Sequence, residues 1–578
     1  MKKIPMLWIF SRVRQRIPAI ALMAAAQVGQ ALLSVFFALG TRGVIDSAVS
    51  GNLDVFFHAC LKQAGIIVGI LVCQFLLRNL RDHLSMDLER DWKQRLLHGL
   101  LHGDYAAVSQ YHSAELLNRL NNDVSKINQG ILNIIPSAAA MITRLVAAVV
   151  VLGTLDAGFT LLIAGLGGIV VLVTSLMRRR LKELNKQVSA HDGKVSGFLQ
   201  ETMEKLLMVQ TMDVSAEVER RADVLMEDRY AIQRKRKNIS LISNTCVSLM
   251  YYGAGFVALG WCAWQMLHGR MSFGSLTAVT QLVSQLQAPF VNLSGVLPQY
   301  MAMIASAERL MELEEIQGEP VPMAENPQEL YRCMDTIQAE GLSFAYDRDR
   351  ILQDAAFELP KGAFAVITGP SGVGKSTILK LLLGVFHPSG GGVWLNCGDR
   401  QIPLNRSSRR LFAYVPQGNL LLSGTLRENL TIVKSDATED EIQQAVYVSA
   451  MNEFLPQLPK GLDTVLGESG AGLSEGQAQR LSIARAVLGG APILLLDECT
   501  SALDADTEER VLRRIRQLPD KTCIAVTHRP AATDLADWQL MVRNETILCE
   551  KRSLAKEPTG YIQENREKWK KPRNEGIS

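Results

Sequence analysis

The sequence has little net charge and few charged residues for its length. Its 578 residues include 61 Lys and Arg against 58 Asp and Glu, which leaves a net charge of only +3. Overall charge therefore gives no indication of a nucleic-acid partner. Charged residues make up 21% of the chain and apolar residues 48%, a balance that excludes a disordered chain and is unusual for a wholly soluble one.

The sequence also lacks closely spaced cysteines. It has nine of them, an odd number, and no two stand in a CxxC pair. A disulfide framework or a zinc site usually shows paired, regularly spaced cysteines. Neither of these is therefore predicted.

Charge is nearly absent from long stretches of the first 310 residues. Four stretches contain no charged residue at all: 17–41, 159–177, 238–268 and 271–307. Two further apolar stretches, 59–77 and 131–155, contain only Lys62 and Arg144. Because a helix rises about 1.5 Å per residue, roughly 20 apolar residues cross the core of a bilayer. The sequence therefore predicts an all-α membrane domain with six long transmembrane helices.

The basic residues lie almost entirely on one side of this six-span arrangement. Of the 31 Lys and Arg in the first 310 residues, 27 fall in 1–16, 78–130, 178–238 or just after the last span. Since basic residues favour the cytoplasmic side, both termini and everything after the last span are predicted to be cytoplasmic. We expect a multi-pass protein of the cell membrane (plasma or inner), with residues 1–16 as a cytosolic flank and no cleaved signal peptide.

Two long polar segments join the predicted spans on the cytosolic side. Their sequence favours helical extensions of the membrane helices, with breaks at the glycine-containing residues 102–105 and 191–193. Segments of this length can carry a contact surface well below the membrane.

The chain changes character after residue 310. Residues 311–334 form a polar, proline-containing linker, and short β-rich runs then alternate with helical stretches, as in α/β domains. A buried-strand run at 363–368 leads directly into Gly369-Pro-Ser-Gly-Val-Gly-Lys-Ser-Thr377. Glycines in such a loop let backbone N–H groups approach phosphate oxygens, and the helix that follows favours negative charge. We expect Lys375 to reach the β- and γ-phosphates of ATP and the Ser376 hydroxyl to ligate Mg²⁺.

A second buried run, Ile493-Leu-Leu-Leu, ends in Asp497 and Glu498. A carboxylate at the C-terminal end of a parallel strand can hold Mg²⁺ beside the phosphate loop. Asp497 is therefore a predicted metal ligand, and Glu498 is placed to polarise the water that attacks the γ-phosphate.

With these motifs the sequence resembles the ATP-binding cassette (ABC) transporters. Leu473-Ser-Glu-Gly-Gln477 is similar to the signature of that family, usually LSGGQ, and it opens a helix. In the family this surface completes the γ-phosphate site of a facing subunit. The resemblance therefore implies that Ser474, Gly476 and Gln477 contact nucleotide in a dimer. Glu475 departs from the usual glycine and places a carboxylate near the ATP.

The resemblance assigns further residues one by one. Tyr346 is similar to the aromatic residue that stacks on adenine, with a plain strand-end tyrosine as the alternative. Gln417 is similar to the glutamine that ligates Mg²⁺ and senses the membrane domain, and His528 to the histidine that contacts the γ-phosphate and orients the water. Residues 501–504 resemble the loop that links two ATP sites, and 465–470 the segment that touches the coupling helices.

The implied site residues form three overlapping groups. The catalytic group is Glu498, His528 and Gln417. The ATP-binding group is Tyr346, Gly369, Ser371, Gly372, Gly374, Lys375, Ser376, Thr377, Gln417, Ser474, Gly476, Gln477 and His528. The Mg²⁺ group is Ser376, Gln417 and Asp497.

The resemblance covers nearly the whole chain. Residues 40–46, 115–123 and 305–310 look like the exporter-type membrane fold, which implies an exporter-type transmembrane domain over 17–310. A nucleotide-binding domain over 335–568 and a basic tail over 569–578 follow the linker. One such membrane unit fused to one cassette is a half-transporter, which must pair with a second. Since no catalytic position is degraded, a homodimer is favoured, and a heterodimer is the alternative.

The function implied by the resemblance is ATP-driven export by alternating access in a lipid bilayer. An importer with the exporter fold and an ATP-gated channel or sensor that does not pump are the alternatives. The six apolar spans argue against a third class, a soluble ABC ATPase.

The last predicted span carries polar residues that bear on the substrate. Gln285, Asn292 and Gln299 recur every seven residues, close to one helix face, and either hold helices together or line a cavity. A cavity with these amides and with Tyr251, Tyr252, Trp261 and Trp264 nearby predicts an amphipathic substrate, such as a peptide, lipid or drug. Arg144 either faces that cavity as a cation for an anionic substrate group or reaches interfacial water or a neighbouring helix.

Overall fold

The structure, a computed structural model, describes residues 4–316, 318, 326–346, 349–418, 421–467 and 470–552. At positions 164, 166, 169–179, 247, 287–295 and 297 it describes the backbone alone. The chain divides into two compact units. The first holds the chain up to Leu101 together with Tyr111–Ile316, and the second holds His102–Gln110 together with the chain after Ile316.

The described residues up to Ile316 are almost entirely helical. Because the backbone N–H and C=O groups of a helix bond to each other, such segments can cross hydrocarbon without unsatisfied polar groups. The helices are α1 (Pro5–Arg12), α2 (Ile17–Ser50), α3 (Leu53–His102), α4 (Tyr105–Val108), α5 (Ser113–Asn118), α6 (Val124–Leu155), α7 (Ala157–Glu204), α8 (Leu206–Thr211), α9 (Ser215–Leu267) and α10 (Phe273–Glu314).

Six of the helices in this described part are longer than a bilayer is thick, and each covers one of the predicted spans to within two residues. They are α2, α3, α6, α7, α9 and α10, with 34, 50, 32, 48, 53 and 42 residues. Over the described residues, the helical runs that contain α2, α3, α6 and α9 are long and apolar enough to cross a membrane. The predicted spans in α7 and α10 fall partly on side chains outside the described residues. The expected all-α membrane domain is confirmed.

One of the two predicted breaks in the cytosolic segments is correct and the other is wrong. α3 ends at His102, and Asp104 caps α4 by accepting hydrogen bonds of 3.3 Å from two backbone N–H groups. At 191–193, however, α7 continues without a break. A glycine in a helix interior costs only about 1 kcal/mol, and the packing of α7 against α9 outweighs that cost.

Within the first unit, α6 packs against both α2 and α10, which also pack against each other. Near the start of α6, side chains of α1, α3 and α10 form a buried apolar cluster around Ile127. The ring centroids of Trp8 and Trp92 are 5.1 Å apart, and the Trp8 indole N–H donates to Glu314 Oε2 at 2.9 Å. The predicted N-terminal flank therefore contains a helix that packs onto α3 and α10.

Gln285 holds two helices of the first unit together. Its side-chain N–H donates to the backbone oxygen of Ser34 at 2.8 Å, and the Ser34 hydroxyl donates to Gln285 Oε1 at 3.3 Å. Of the two alternatives for the amide positions, helix packing therefore applies to Gln285. Asn292 lies outside the described side chains, and Gln299 is exposed in this chain.

The exporter-like motif at 40–46 joins the end of α2 to the start of α10. Asp46 accepts hydrogen bonds of 2.9 Å from the Gly274 backbone N–H and from the Ser272 hydroxyl. Glycine is required at position 274, because a Cβ there would lie 2.5 Å from the backbone oxygen of Arg42.

The other two exporter-like motifs, 115–123 and 305–310, meet at a buried carboxylate. Asp123 is fully buried and accepts a hydrogen bond of 2.9 Å from the Ser306 hydroxyl. The Arg309 guanidinium donates to its two oxygens at 2.7 and 2.5 Å. Asp123 ends a turn of π-helix, Arg119–Asp123, that precedes α6, and Arg119 donates to the Arg309 backbone oxygen at 2.7 Å. This cluster fixes the start of α6 to the end of α10.

The second unit is an α/β domain, as predicted. Its helices are α11 (Pro327–Cys333), α12 (Lys375–Leu382), α13 (Leu426–Thr431), α14 (Glu439–Val448), α15 (Glu475–Leu488), α16 (Ala505–Arg516) and α17 (Pro530–Leu535). Its strands are β1 (Thr336–Tyr346), β2 (Asp349–Pro360), β3 (Phe364–Thr368), β4 (Gly390–Cys397), β5 (Arg400–Pro403), β6 (Phe412–Val415), β7 (Gly424–Thr425), β8 (Val465–Leu466), β9 (Ile493–Asp497), β10 (Thr522–Val526), β11 (Trp538–Arg543) and β12 (Thr546–Lys551).

A six-stranded sheet of order β12-β11-β3-β10-β9-β6 forms the centre of this unit. All of its neighbouring strands are parallel except β11 and β12. Because parallel strands end at the same edge, the segments after β3, β9, β10 and β6 meet there. A second, antiparallel sheet of order β2-β1-β4-β5 carries Tyr346 at the end of β1.

Both ends of the predicted linker 311–334 are helical, since α10 continues to Glu314 and α11 begins at Pro327. Residues 317 and 319–325 of the linker, and the chain after Arg552 with the predicted tail 569–578, lie outside the described residues.

The segment His102–Gln110 groups with the nucleotide domain through contacts of its own. The Tyr105 ring of α4 lies edge-on to the Phe386 ring, with centroids 6.3 Å apart, and the Arg406 guanidinium donates to the His102 backbone oxygen. The break after α3 thus presents a contact surface, as the sequence predicts for the first cytosolic segment.

We expect Arg309→Ala to lower the stability of the first unit by about 3 kcal/mol, because it leaves the buried Asp123 carboxylate without its hydrogen-bonded cation. Lys126→Ala is the control, since Lys126 lies 3.8 Å from the same carboxylate but is half exposed. It should change stability by less than about 1 kcal/mol. Thermal unfolding of both variants in lipid nanodiscs measures the difference, and equal losses would contradict the assignment of Arg309 as the partner.

Candidate nucleotide-binding site

The phosphate loop joins β3 to α12, as the sequence predicts. Gly374 has a φ of +98°, and a Cβ there would lie 2.1 Å from Ile351 Cγ2, so only glycine fits. Lys375 is buried, and its ammonium donates to the backbone oxygens of Gly369 and Pro370 at 3.0 and 2.8 Å. The cation therefore lies over the loop, while Ser371 and Gly372 form its exposed rim.

Ser376 and Asp497, two predicted metal ligands, lie side by side. The Ser376 hydroxyl donates to Asp497 Oδ1 at 2.8 Å, and the Tyr414 hydroxyl donates to Oδ2 at 3.0 Å. Burial raises the pKa of Asp497 above its usual value, the charge of Glu498 adds to this, and the two hydroxyls oppose it. The charge of Lys380 lowers this pKa slightly, but within the described residues no cation forms an ion pair with Asp497. The carboxylate therefore favours an added cation, and its oxygen atoms suit Mg²⁺. These residues therefore fit the predicted metal.

The Glu498 carboxylate lies between Gln417 and His528. Gln417 Nε2 donates to Glu498 Oε2 at 2.9 Å, and His528 Nε2 is 3.4 Å from Oε1. Glu498 has a φ of +48°, an unfavourable value for a residue with a side chain and one that is concentrated at functional sites. The three predicted catalytic residues are thus brought together. Among the described residues, no hydrogen bond joins Gln417 to Ser376 or Asp497.

Tyr346 lies beside the phosphate loop. Its hydroxyl is 3.3 Å from Thr377 Oγ1, and its ring lies edge-on to Phe344 and Phe386, with centroids 4.9 and 5.4 Å away. The residue is still 39% exposed. Tyr346, the residue predicted to contact adenine, therefore lies next to the phosphate loop and keeps its ring accessible.

The signature residues are held in a separate arrangement at the start of α15. Ser474 Oγ accepts from the Gln477 N–H at 3.3 Å, and Gln477 Oε1 accepts from the Ser474 N–H at 2.9 Å. A Cβ on Gly476 would lie 2.9 Å from the backbone oxygen of Ala502, so glycine permits this close approach. Among the described residues, these hydrogen bonds do not reach the phosphate loop. Glu475 occupies the first helical turn, where a negative charge is favourable.

Three residues that the sequence motifs do not single out connect these motifs in the structure. Tyr414 bonds to Asp497, as described above. Gln479 bonds to loop 501–504 at 3.1 and 3.0 Å, and Arg529 donates to the Leu503 backbone oxygen of the same loop at 2.7 Å. Each stands within three residues of a predicted site residue, which is the one signal the sequence offers. Glu468 and Ser469, in the predicted segment 465–470, lie outside the described residues.

Comparison with protein families identifies both units. The family model of the ABC transporter transmembrane region matches residues 19–290. The family model described as ABC transporter matches residues 352–501. Together the two matches cover well over half of the chain.

Individual proteins show the same organisation over most of the chain. An uncharacterized ABC transporter ATP-binding protein of Sinorhizobium fredii is 27% identical over 86% of this chain and 85% of its own length. The fatty acid ABC transporter ATP-binding/permease protein of Mycobacterium bovis is 29% identical over 75% of this chain and 69% of its own. The solved structure of a bacterial Atm1-family ABC exporter with ATP bound has a TM-score of 0.77 and 22% identity, covering 93% of this chain and 94% of that one. The chain therefore belongs to the ABC transporters and joins an exporter-type transmembrane region to an ATP-binding cassette.

Proposed function

We propose that this protein is an ATP-driven exporter that works by alternating access as a dimer of two identical half-transporters. ATP hydrolysis coupled to transport is general to the family that the cassette matches. The observation that carries the proposal is the placement of the Glu498 carboxylate between Gln417 and His528, on the residue after Asp497.

The phosphate loop would bind the nucleotide. Lys375 can exchange the two loop carbonyls that it now contacts for phosphate oxygens, which are stronger, charged acceptors. Tyr346 would pack against the adenine. Ser376 and Asp497 would hold Mg²⁺, which supplies positive charge beside the phosphate oxygens when bound.

Glu498 would accept a proton from the attacking water. Its carboxylate is oriented by the Gln417 amide and lies beside the His528 imidazole. Two contacts on opposite oxygens fix the direction of the acceptor, which general-base catalysis requires. Glu498 has a positive φ, an unfavourable backbone conformation that the surrounding structure maintains.

A second copy of the chain would complete each ATP site. The signature hydrogen bonds stay within the start of α15, so Ser474 and Gly476 are available to a nucleotide held by another subunit. This chain carries an intact phosphate loop, an intact carboxylate and an intact signature serine. Two identical copies therefore supply two complete sites, each with a Glu475 carboxylate beside it.

The substrate we propose is an amphipathic molecule with an anionic group. Tyr252 and Trp264 expose 72% and 62% of their surface on α9, whereas the Trp261 indole N–H is committed to Asp156 at 2.8 Å. Arg144 lies within the predicted span of α6, and its Nε is buried with no hydrogen-bond partner among the described residues. By name, the Mycobacterium bovis relative transports fatty acids, which have this character.

Glu498→Gln should keep ATP binding but lower hydrolysis by roughly 100-fold or more, because the amide keeps the shape and loses the basicity. It should also trap a dimer with two nucleotides. Light scattering, nucleotide occupancy and ATPase rates test this together. Glu550→Gln, on the exposed face of β12, is the matched control and should hydrolyse ATP at a rate close to that of the unmodified protein. Near-normal hydrolysis in Glu498→Gln would show that another group handles the water.

Asp497→Asn should raise the unfolding temperature of the metal-free protein while abolishing the further rise caused by Mg²⁺. Burial raises the pKa of Asp497, so the metal-free fold loses stability as pH rises through that pKa and the carboxyl ionises. The neutral amide removes this loss, and its advantage should grow with pH. Thermal unfolding across pH, with and without Mg²⁺, measures it. The exposed Asp436→Asn should behave like the unmodified protein, and a Mg²⁺ response in Asp497→Asn would contradict the metal role.

Arg144→Ala should keep ATP hydrolysis in the absence of substrate but lose stimulation by anionic amphipaths. An unpaired cation in a span costs at least about 2.5 kcal/mol, and a substrate anion would offset that cost. ATPase assays in nanodiscs across a panel of anionic, neutral and cationic compounds measure the effect. Arg144→Lys keeps the charge and should retain part of the response. A normal response to the whole panel in Arg144→Ala would make Arg144 structural.

A further inference from the structure

A basic cleft lies between α7 and α9 of the first unit. Its volume is about 550 Å³. The described residues that line it include no Asp or Glu. Those that bear on its chemistry are Asn185, Tyr230, Gln233, Arg234, Arg236 and Lys237.

The cleft lies at the level where both helices leave the apolar part of the chain. In α9, Arg234 and Lys237 immediately precede the uncharged stretch 238–268. In α7, the uncharged stretch ends at residue 177, and Asn185 follows it by about 12 Å at 1.5 Å per residue. By the basic-residue asymmetry this level is the cytoplasmic surface of the bilayer, where lipid headgroups lie.

Charge around the cleft is strongly one-sided. Residues 229–238 contain five Lys and Arg and no Asp or Glu, and of these five Arg229 is paired with Asp192 of α7. Arg234 is 3.6 Å from Glu227, but both side chains are largely exposed, which makes that pair weak. Lys237 has no ion pair within the described part of the chain. The cleft therefore keeps a net positive charge that an anion can neutralise.

The walls of the cleft are fixed, and they offer an acceptor as well as donors. Arg236 donates to Asn185 Oδ1 at 3.3 Å, which ties α9 to α7. Gln233 Oε1 is buried and has no hydrogen-bond partner among the described residues. A ligand with an anionic group and a hydroxyl would satisfy the cations and this oxygen together.

We propose that this cleft binds the headgroup of an anionic phospholipid from the cytoplasmic leaflet. The phosphate would lie between Arg234 and Lys237, and a headgroup hydroxyl, as in phosphatidylglycerol, would donate to Gln233 Oε1. Basic clusters directly cytoplasmic to a membrane helix attract such lipids. The test of this site measures lipid binding and not transport, so the proposal stands or falls independently of the proposed export.

The test compares two double variants of the full-length protein. Arg234→Ala/Lys237→Ala removes two cations that line the cleft. Lys182→Ala/Lys235→Ala removes two exposed cations at the same level of α7 and α9 that do not line it. Phosphatidylglycerol is titrated at low mole fraction into phosphatidylcholine nanodiscs, where the bulk surface potential is small, and bound lipid is counted by native mass spectrometry.

The unmodified protein should bind phosphatidylglycerol saturably and in preference to phosphatidylcholine. Each basic residue at a membrane surface adds roughly fivefold in affinity, so the cleft variant should bind roughly 25-fold more weakly. The control variant should lose much less. Equal losses in the two variants would reduce the effect to general surface charge and overturn the proposal.

Two further measurements address misfolding of the alanine variant and binding of a free phosphate anion. Arg234→Gln/Lys237→Gln keeps polar side chains, so if the alanine variant fails to fold, this variant should still show the loss. Inorganic phosphate and glycerol 3-phosphate are added as soluble competitors. Displacement of the lipid by millimolar inorganic phosphate would assign the cleft to a free phosphate anion and overturn the lipid assignment.

Discussion

Parallel pairing of β3, β10, β9 and β6 is the constraint on which the nucleotide site depends. β3, β9 and β10 are almost fully buried and β6 is half-buried, and the polar residues that follow these strands lie at one edge of the sheet. The phosphate loop follows β3, Glu498 follows β9, His528 follows β10 and Gln417 follows β6. Residues that lie as far as 121 positions apart in the chain, such as Ser376 and Asp497, therefore contact one another within 3.5 Å. Without this pairing, each motif would be an isolated strand end.

Two buried carboxylates, one in each unit, differ in the groups that bind them. Asp123 is bound by the Arg309 guanidinium, and the pair fixes α6 to α10. Asp497 receives only the hydroxyls of Ser376 and Tyr414 and has the Glu498 carboxylate as its neighbour. Within the described residues Asp497 has no ion-paired cation, although the charge of Lys380 lowers its pKa slightly, so an added cation would stabilise it, whereas Asp123 already has a hydrogen-bonded cation. This difference separates a structural ion pair from a candidate metal ligand.

The start of α15, which carries the signature, and loop 501–504 are held together by hydrogen bonds within this chain. Gln479 and Arg529 fasten the loop to α15 and to the segment after β10, and the capping of Ser474 orders the start of the helix. The start of a helix attracts anions because its N–H groups lack partners. Within the described residues, this anion-binding surface makes no contact with the phosphate loop of its own chain. That is the physical reason for proposing a second subunit.

The sequence by itself determined the division into a helical membrane part and an α/β part, because uncharged stretches and glycine-rich loops are local signals. Residue types and strand-end positions also identified the phosphate loop, Asp497 and Glu498, whereas Gln417 and His528 were assigned through the resemblance to ABC transporters. Only the tertiary structure decided how these residues are partnered. Tyr414 and Arg529 act through residues far away in the sequence, and Gln285 holds a helix where the pattern also allowed a cavity. The prediction of a break at 191–193 was wrong because it used only the local sequence. Packing between α7 and α9 outweighs the cost of about 1 kcal/mol for a glycine inside a helix.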